Sequence, residues 1–160
     1  MAKKEVKTNA MRILERMKIP YEHFEYECDG FTDGAATADM LGLPHEAVYK
    51  TLVTLGADKK NYVFVIPVDE ELDLKKCARS VGVKSVQMIH VKELFALTGY
   101  VRGGCTSIGM KKQFETRIDE SAAGLDQIYV SAGRIGCQIR LAPGDLCKAA
   151  GAQYADLLMR

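Results

Sequence analysis

The sequence predicts an α/β fold in which helices surround one mixed, strongly curved β-sheet. Short β-branched and apolar segments recur along the chain, and amphipathic helical segments alternate with them. The chain has 160 residues, 48% hydrophobic and 27% charged, which is enough for one domain with a substantial core and too little for two. No repeat or low-complexity linker divides it, so we expect residues 1–160 to form a single domain.

The first elements are a helix and a strand. Residues 9–18 have apolar side chains at i, i+3, i+4 and i+7, which predicts a helix that Thr8 caps and Pro20 ends. Residues 21–26 have the composition of a strand, and a second short helix is expected to end at Gly42.

A hairpin and a capped helix follow. Residues 49–55 and 62–68 are β-branched and apolar and flank a polar turn, which is typical of a hairpin. Asp73 is placed to cap a helix that Gly82 ends. Further strands are predicted at residues 86–89, 116–118, 127–131 and 137–141, and further helices at residues 91–97 and from Pro143 onward.

The cysteines and histidines form no disulfide or metal pattern. Five cysteines at irregular spacings include no C-x-x-C pair, and three histidines are scattered. No apolar segment is long enough to span a bilayer, and the first residues lack the apolar core of a signal peptide. We therefore expect a reduced, cytoplasmic protein with no metal, no cofactor and no membrane partner.

A glycine-rich loop at residues 102–112 is the strongest candidate for a ligand site. Gly103, Gly104 and Gly109 lie among hydroxyl side chains, with cationic residues on both sides. Glycine lets the backbone approach a ligand closely, so that successive N–H groups can point at one anion or carbonyl oxygen. The alternative is a plain turn between a helix and a strand. Gly109 is followed by Met110 rather than Lys, which excludes a P-loop.

Positive charge is concentrated around this loop. The net charge is only +1, but residues 75–117 contain nine basic and two acidic residues. Such a segment is often only a solvated face. Because it contains the glycine-rich loop, we expect it to contact an anionic ligand such as a nucleic-acid backbone.

Few single side chains offer chemistry. Lys50 begins an apolar segment that resembles a central strand, where lysine is rarely buried without a function. The alternative is a stem lying along a half-exposed strand with its ammonium in water. Cys105 is a weaker candidate nucleophile, because most lone cysteines act as small apolar residues. The sequence contains neither G-x-S-x-G nor H-E-x-x-H, so standard hydrolase motifs are absent.

An ordered set of motifs resembles a known family, the YbaK/EbsC group of aminoacyl-tRNA deacylases. This group is related to the editing domain of bacterial prolyl-tRNA synthetases and includes Cys-tRNA(Pro) deacylases. The resemblance runs from the first helix to the C-terminus and implies a YbaK-like fold. It rests on Tyr49-Lys50-Thr51-Leu52, Leu72-Asp73-Leu74-Lys75-Lys76, Thr98-Gly99-Tyr100, Gly103-Gly104, Ile108-Gly109-Met110-Lys111-Lys112, Ile128-Tyr129-Val130-Ser131-Ala132-Gly133 and Ala142-Pro143-Gly144-Asp145-Leu146.

The resemblance implies roles for individual residues. The functional lysine of the family corresponds to Lys50 and its loop to Gly103-Gly104, so Lys50 and Gly103 are expected to be catalytic. The residues expected to bind substrate are Tyr26, Thr51, Gly104, Thr106 and Ser131. From the charge of the basic segment, we expect the tRNA backbone to contact Lys75, Lys76, Arg102, Lys111 and Lys112.

The loop departs from the family pattern at one point. The family commonly has Gly-Gly-x-Ser-Pro-x-Gly, whereas Thr106 and Ser107 occupy the Ser-Pro positions here. Threonine keeps the hydroxyl, but the loss of proline removes a φ restraint and restores an N–H. We therefore expect a looser loop, and substrate choice is the inference that this departure affects most.

The resulting hypothesis is a hydrolase that removes the amino acid from mischarged tRNA in trans, with Cys-tRNA(Pro) as substrate. Lys50 would hold the terminal adenosine or its phosphate, the Gly103-Gly104 backbone would bind the aminoacyl carbonyl, and the substrate thiol would attack the ester. The expected partners are the tRNA(Pro) acceptor end and prolyl-tRNA synthetase, but not DNA. The alternatives are a module that binds charged tRNA or a synthetase without turnover, and a deacylase for another small aminoacyl group, such as Ala-tRNA(Pro).

Overall fold

The computed structural model describes residues 7–26 and 34–159 and confirms the α/β class. Its α-helices are α1 (Asn9–Arg16), α2 (Gly34–Leu41), α3 (Leu74–Val81), α4 (Val91–Thr98) and α5 (Pro143–Ala150). Its strands are β1 (Glu22–Glu25), β2 (Tyr49–Gly56), β3 (Asn61–Pro67), β4 (Val86–Met88), β5 (Glu115–Asp119), β6 (Ile128–Ser131), β7 (Cys137–Leu141) and β8 (Ala152–Ala155). Short 3-10 helices occupy His45–Ala47 and Glu120–Gly124. No helix within the described ranges is long and apolar enough to cross a membrane.

The described strands form two sheets, where the sequence predicts one. Strands β1, β7 and β6 form an antiparallel sheet in that order. Strands β4, β2, β3, β5 and β8 form a second sheet of mixed pairing. A parallel bridge between Val48 and Tyr129 joins the two sheets. The difference from the prediction arises because the periodicity of one segment does not encode which distant segment it pairs with.

The predicted helix ends are confirmed where a local cap explains them. The hydroxyl of Thr8 accepts the N–H of Met11 at 3.2 Å at the start of α1. The carboxylate of Asp73 accepts the N–H of Lys75 at 3.0 Å at the start of α3. Gly82 ends α3 at φ 72°, in the left-handed region that favours glycine.

Strand β3 lies at the centre of the core and is buried on both faces. Phe64 and Ile66 pack in one cluster with Cys77 of α3. Val65 and Val63 belong to two other hydrophobic clusters, one residue in each. Burial on both faces explains why this strand is continuously apolar instead of alternating. It also gives β2, its neighbour in the hairpin, a rigid support along one edge.

His45 connects α2 to the turn that follows β3. Its Nε2 lies 2.7 Å from Oδ1 of Asp39, in α2, and its Nδ1 lies 2.7 Å from Oδ2 of Asp69. Both ring nitrogens can donate only when the imidazole is protonated. The hydrogen bonds to Asp39 and to Asp69 accordingly raise the pKa of His45 above its ordinary value of 6.5.

Replacing His45 with Gln should lower stability only at the acidic end of the pH range. A group whose pKa is raised on folding stabilises the fold below its unfolded pKa, 6.5 for His45, and this contribution is lost as pH rises through the folded value. We expect His45→Gln to have a lower Tm than wild type at about pH 6, with the difference shrinking towards pH 9. Thermal unfolding across this range checks this, and a pH-independent difference would contradict the charged contact.

Candidate active site

A cleft of about 590 Å³ lies where the two sheets meet. Its walls come from the start of α2, from β2, from the segment joining β4 to α4, from the glycine-rich loop and from the facing ends of β6 and β7. Among the residues expected to act on the ligand, the cleft is lined by Lys50, Thr51, Arg102, Gly103 and Ser131. The fold thus brings these five residues together from three separate segments of the chain: β2, the glycine-rich loop and the end of β6.

One edge of β2 is open towards this cleft. Strand β4 pairs with β2 only over Thr54–Gly56, and the N–H of Ile89 donates to the Val53 carbonyl at 3.4 Å. Peptide groups two residues apart along a strand point to the same edge, so those of Thr51 point the same way as the Val53 carbonyl. No strand of the described chain covers Thr51 at that edge. Its N–H and C=O are therefore available to a ligand.

Lys50 is half-buried in the wall of the cleft. Its main chain is held by the β2–β3 ladder, where it pairs with Ile66. Within the described ranges, its ammonium has no hydrogen-bond or ion-pair partner. A compact cation that is partly removed from water and has no counter-charge favours a ligand that brings an anionic or strongly polarised oxygen.

The glycine-rich loop is anchored on more than one side. The Tyr100 hydroxyl donates to the Ile108 carbonyl at 2.6 Å, and the side-chain amide of Asn9 in α1 donates to the Gly109 carbonyl at 3.3 Å. Gly103, at the cleft, has φ 88°, a conformation that residues with a Cβ rarely adopt. The loop can therefore present its backbone to a ligand at a defined position.

Three residues predicted to bind substrate do not line the cleft: Tyr26, Gly104 and Thr106. Thr106 has no exposed surface, and its hydroxyl accepts the N–H of Ile108 at 3.4 Å. Ser107, at the family's proline position, is also buried. Burial of both side chains and this hydrogen bond restrain the segment.

The lysines predicted to contact tRNA differ in their availability. Lys75 is exposed on α3, and Lys111 and Lys112 are exposed at the end of the loop. The ammonium of Lys76 instead lies 3.0 Å from the Asp156 carboxylate, which ties α3 to the C-terminal segment. A tRNA phosphate would have to compete with Asp156 for the Lys76 ammonium, whose contact with tRNA stays a prediction.

Gln138 is a cleft residue that the sequence analysis missed. It pairs with Ser131 in the β6–β7 ladder, lines the cleft and is 6% exposed. Its side-chain Oε1 has no hydrogen-bond partner in the described structure. An unpaired buried acceptor costs about 1–3 kcal/mol, which a ligand donor would offset. The sequence offered one indication of this residue, a glutamine within a strand that is otherwise mostly buried and apolar.

Cys105 lines the cleft, but its thiol is not activated. Burial raises the pKa of Cys105 to about 12, so the thiol is protonated near neutral pH. Nucleophilic cysteines have a lowered pKa instead. This favours the interpretation of Cys105 as a small apolar residue. The cysteines in the described ranges are all free thiols.

Comparisons with known proteins show which family this chain resembles. A family model of the aminoacyl-tRNA editing domain matches residues 31–149. A protein of Enterococcus faecalis, EbsC, assigned as a Cys-tRNA(Pro)/Cys-tRNA(Cys) deacylase, is 46% identical over 160 residues that cover 98% of each chain. Part of the proline–tRNA ligase of Acidithiobacillus ferrooxidans is 29% identical over 86 residues, covering 54% of this chain and 15% of the ligase.

The fold is also known from solved structures. A protein described as a trans-editing enzyme for prolyl-tRNA synthetase superposes with a TM-score of 0.81 at 25% identity, covering 97% of this chain and 100% of that one. The family match and the fold thus define a protein of the tRNA-editing class. The chain belongs to the aminoacyl-tRNA editing domain family, and its resemblance to the YbaK/EbsC group is confirmed.

Adding a methyl group at Gly104 should disturb the loop. A Cβ there would lie 2.9 Å from the Arg134 carbonyl carbon and 2.9 Å from the Ile135 nitrogen, and backbone atoms cannot rotate out of the way. We expect Gly104→Ala to lower the free energy of unfolding by about 1–3 kcal/mol and to reduce activity by displacing Gly103. Gly124→Ala is the matched control, since a Cβ there meets nothing within 4 Å. Equal unfolding free energies in chemical denaturation would contradict the close contact.

Proposed function

We propose that this chain is a trans-editing enzyme that hydrolyses the cysteinyl ester of mischarged tRNA, with Cys-tRNA(Pro) as its substrate. Membership of the family gives the class of enzyme, an aminoacyl-tRNA deacylase. The observation that carries the proposal is the half-buried Lys50 ammonium, which shares one cleft with the open edge of β2 and with Gly103. A cation and backbone donors in one cleft suit an ester next to a nucleotide.

In this proposal each polar group of the cleft binds a different part of the substrate. Lys50 would hold the terminal adenosine or its phosphate, and the N–H of Gly103 would donate to the aminoacyl carbonyl as its oxygen gains negative charge. The Ser131 hydroxyl accepts the N–H of Gly133 at 3.2 Å, which leaves its own proton to donate to the substrate. We assign the Oε1 of Gln138 to a donor on the aminoacyl group, the α-ammonium.

In this proposal the attacking group comes from the substrate. The described lining of the cleft holds no carboxylate or imidazole, and the Cys105 thiol stays protonated. The substrate thiol attacks its own carbonyl carbon, so that a C–S bond forms and the ester C–O bond breaks. The thiol proton passes to the departing ribose oxygen. The products are free tRNA and a β-thiolactone of cysteine, which water then opens.

The residues of this chain need not determine which tRNA is the substrate. The name of the Enterococcus faecalis relative includes both Cys-tRNA(Pro) and Cys-tRNA(Cys). We propose that the cleft recognises the cysteinyl end, and that prolyl-tRNA synthetase supplies the preference for tRNA(Pro) as a partner in the cytoplasm. An alanyl ester of similar size has no thiol and cannot react by this route.

Purified protein should therefore hydrolyse Cys-tRNA(Pro) and leave Ala-tRNA(Pro) intact. Release of labelled amino acid under single-turnover conditions measures both rates, and Cys-tRNA(Cys) in parallel shows how far the tRNA body matters. Binding of charged tRNA without turnover would indicate a non-catalytic module. Equal rates for the cysteinyl and alanyl esters would eliminate the thiol mechanism.

In the same assay, Lys50→Ala should lower the single-turnover rate about 10²–10³-fold, or about 2.7–4 kcal/mol, taking the loss of an oxyanion donor as a guide. Lys50→Arg should not restore the rate, because a planar guanidinium does not replace a compact ammonium in a tight site. Cys105→Ala, which alters another cleft residue, should keep most of the activity. Near-normal turnover by folded Lys50→Ala protein would remove Lys50 from the mechanism.

Gln138→Leu should separate activity from stability. Leucine removes the unpaired acceptor, so we expect the free energy of unfolding to stay the same or rise by up to about 1 kcal/mol. Because the substrate loses a hydrogen-bond partner, kcat/KM for Cys-tRNA(Pro) should fall about tenfold. Chemical denaturation and steady-state kinetics on the same preparation check both effects. A parallel loss of stability and activity would indicate a purely structural glutamine.

A further inference from the structure

An exposed apolar surface continues outward from the cleft. It consists of Met88, Val91 and Phe95, whose exposed fractions are 46%, 56% and 58%. Met88 and Val91 also line the cleft, and Phe95 lies one helical turn beyond Val91 on the same face of α4. Contiguous exposed apolar surface on a protein often marks an interaction site. Because Met88 and Val91 both line the cleft and are exposed, this surface begins at the rim of the cleft.

Lys111 is held over the ring of Phe95. Its Nζ lies 5.2 Å from the ring centroid. Its backbone N–H donates to the Thr98 carbonyl at the end of α4, at 3.0 Å. Its stem passes beside Gly99, where a Cβ would lie 3.3 Å from the Lys111 Cγ. The backbone and the missing side chain at Gly99 thus keep this cation and this ring together.

The charge around the pair is predominantly positive. Lys92 on α4 and Lys112 at the end of the loop are exposed, and Arg102 at the start of the loop lines the cleft. Exposed aromatic rings among cations are the combination that binds single-stranded nucleic acid, because bases stack on the ring while phosphates contact the cations. An apolar protein partner would leave these cations unmatched, whereas every nucleotide of RNA brings a phosphate to them.

We propose that Phe95 and Lys111 bind the unpaired nucleotides that precede the terminal adenosine of tRNA. A base stacks on the Phe95 ring in place of the ammonium, and the Lys111 ammonium moves to an adjacent phosphate. The Phe95 ring then contacts a base instead of the ammonium. The Lys111 ammonium contacts a phosphate, which carries a full negative charge, instead of the ring. This inference rests on the proposed function, which puts the aminoacyl end in the cleft.

The test uses an uncharged RNA hairpin with a single-stranded ACCA end, together with its cysteinyl ester and the cysteinyl ester of adenosine alone. Phe95→Ala should weaken binding of the hairpin at least about fivefold in fluorescence anisotropy. Phe95→Leu should be as weak because it has no aromatic face, and Phe95→Trp should restore binding. Lys111→Ala should reduce the slope of log affinity against log salt by about 0.7.

Hydrolysis of the two esters separates this surface from the cleft. Phe95→Ala should raise KM for the hairpin ester with kcat unchanged, and should leave hydrolysis of the adenosine ester unaltered, because that substrate ends before the surface. Leu74→Ala on α3 and Lys148→Ala on α5 are controls for loss of an exposed apolar and an exposed charged side chain outside the described cleft lining. Both should behave as wild type.

The outcomes distinguish this inference from the function on which it rests. If wild type hydrolyses neither ester, the proposed function fails whatever the hairpin binds. If wild type hydrolyses both and Phe95→Ala matches it in KM and RNA affinity, only the stacking surface is overturned. Wild-type affinity for Phe95→Leu would also overturn it, since an aliphatic side chain that suffices indicates apolar docking, as for a protein partner.

Discussion

The parallel bridge between Val48 and Tyr129 is the contact on which the cleft depends. It joins the two sheets at the start of β2, while β4 covers β2 only at its far end. The edge of β2 between these points stays open, and Ser131 and Gln138 of the other sheet reach the same cleft. Because strand side chains alternate between faces, slippage of β2 by one residue would turn Lys50 away from its present side of the sheet.

Most elements of the fold could be predicted because their causes are local. The Asp73 cap and Gly82, for example, act within a few residues of the helix end that each defines. Strand β8 was not predicted, because its residues are only partly buried and it is a strand through parallel pairing with β5. The division into two sheets was equally hidden, since β1 pairs with β7 from the other end of the chain.

A motif identifies a residue position in the candidate site, but it does not show which groups surround that residue in the fold. The positions could therefore be predicted, and their contacts could not. The resemblance predicts roles for Lys50 and Gly103, and both residues line the cleft. The resemblance could not show that the Thr106 hydroxyl accepts the N–H of Ile108 inside the loop. Nor could it show that the Lys76 ammonium forms an ion pair with Asp156. Gln138 was missed because its unpaired oxygen exists only in the assembled strand pair.

The burial of Cys105 has a consequence for redox chemistry. Disulfide exchange requires a thiolate, and a cysteine with a pKa of about 12 supplies almost none near neutral pH. A cleft that receives a thiol-bearing amino acid would otherwise risk a mixed disulfide between protein and substrate. Burial at 8% exposure leaves the sulfur small and apolar yet poorly accessible to oxidants. The protein can therefore hold a cysteine beside the proposed cysteinyl substrate without becoming covalently trapped by it.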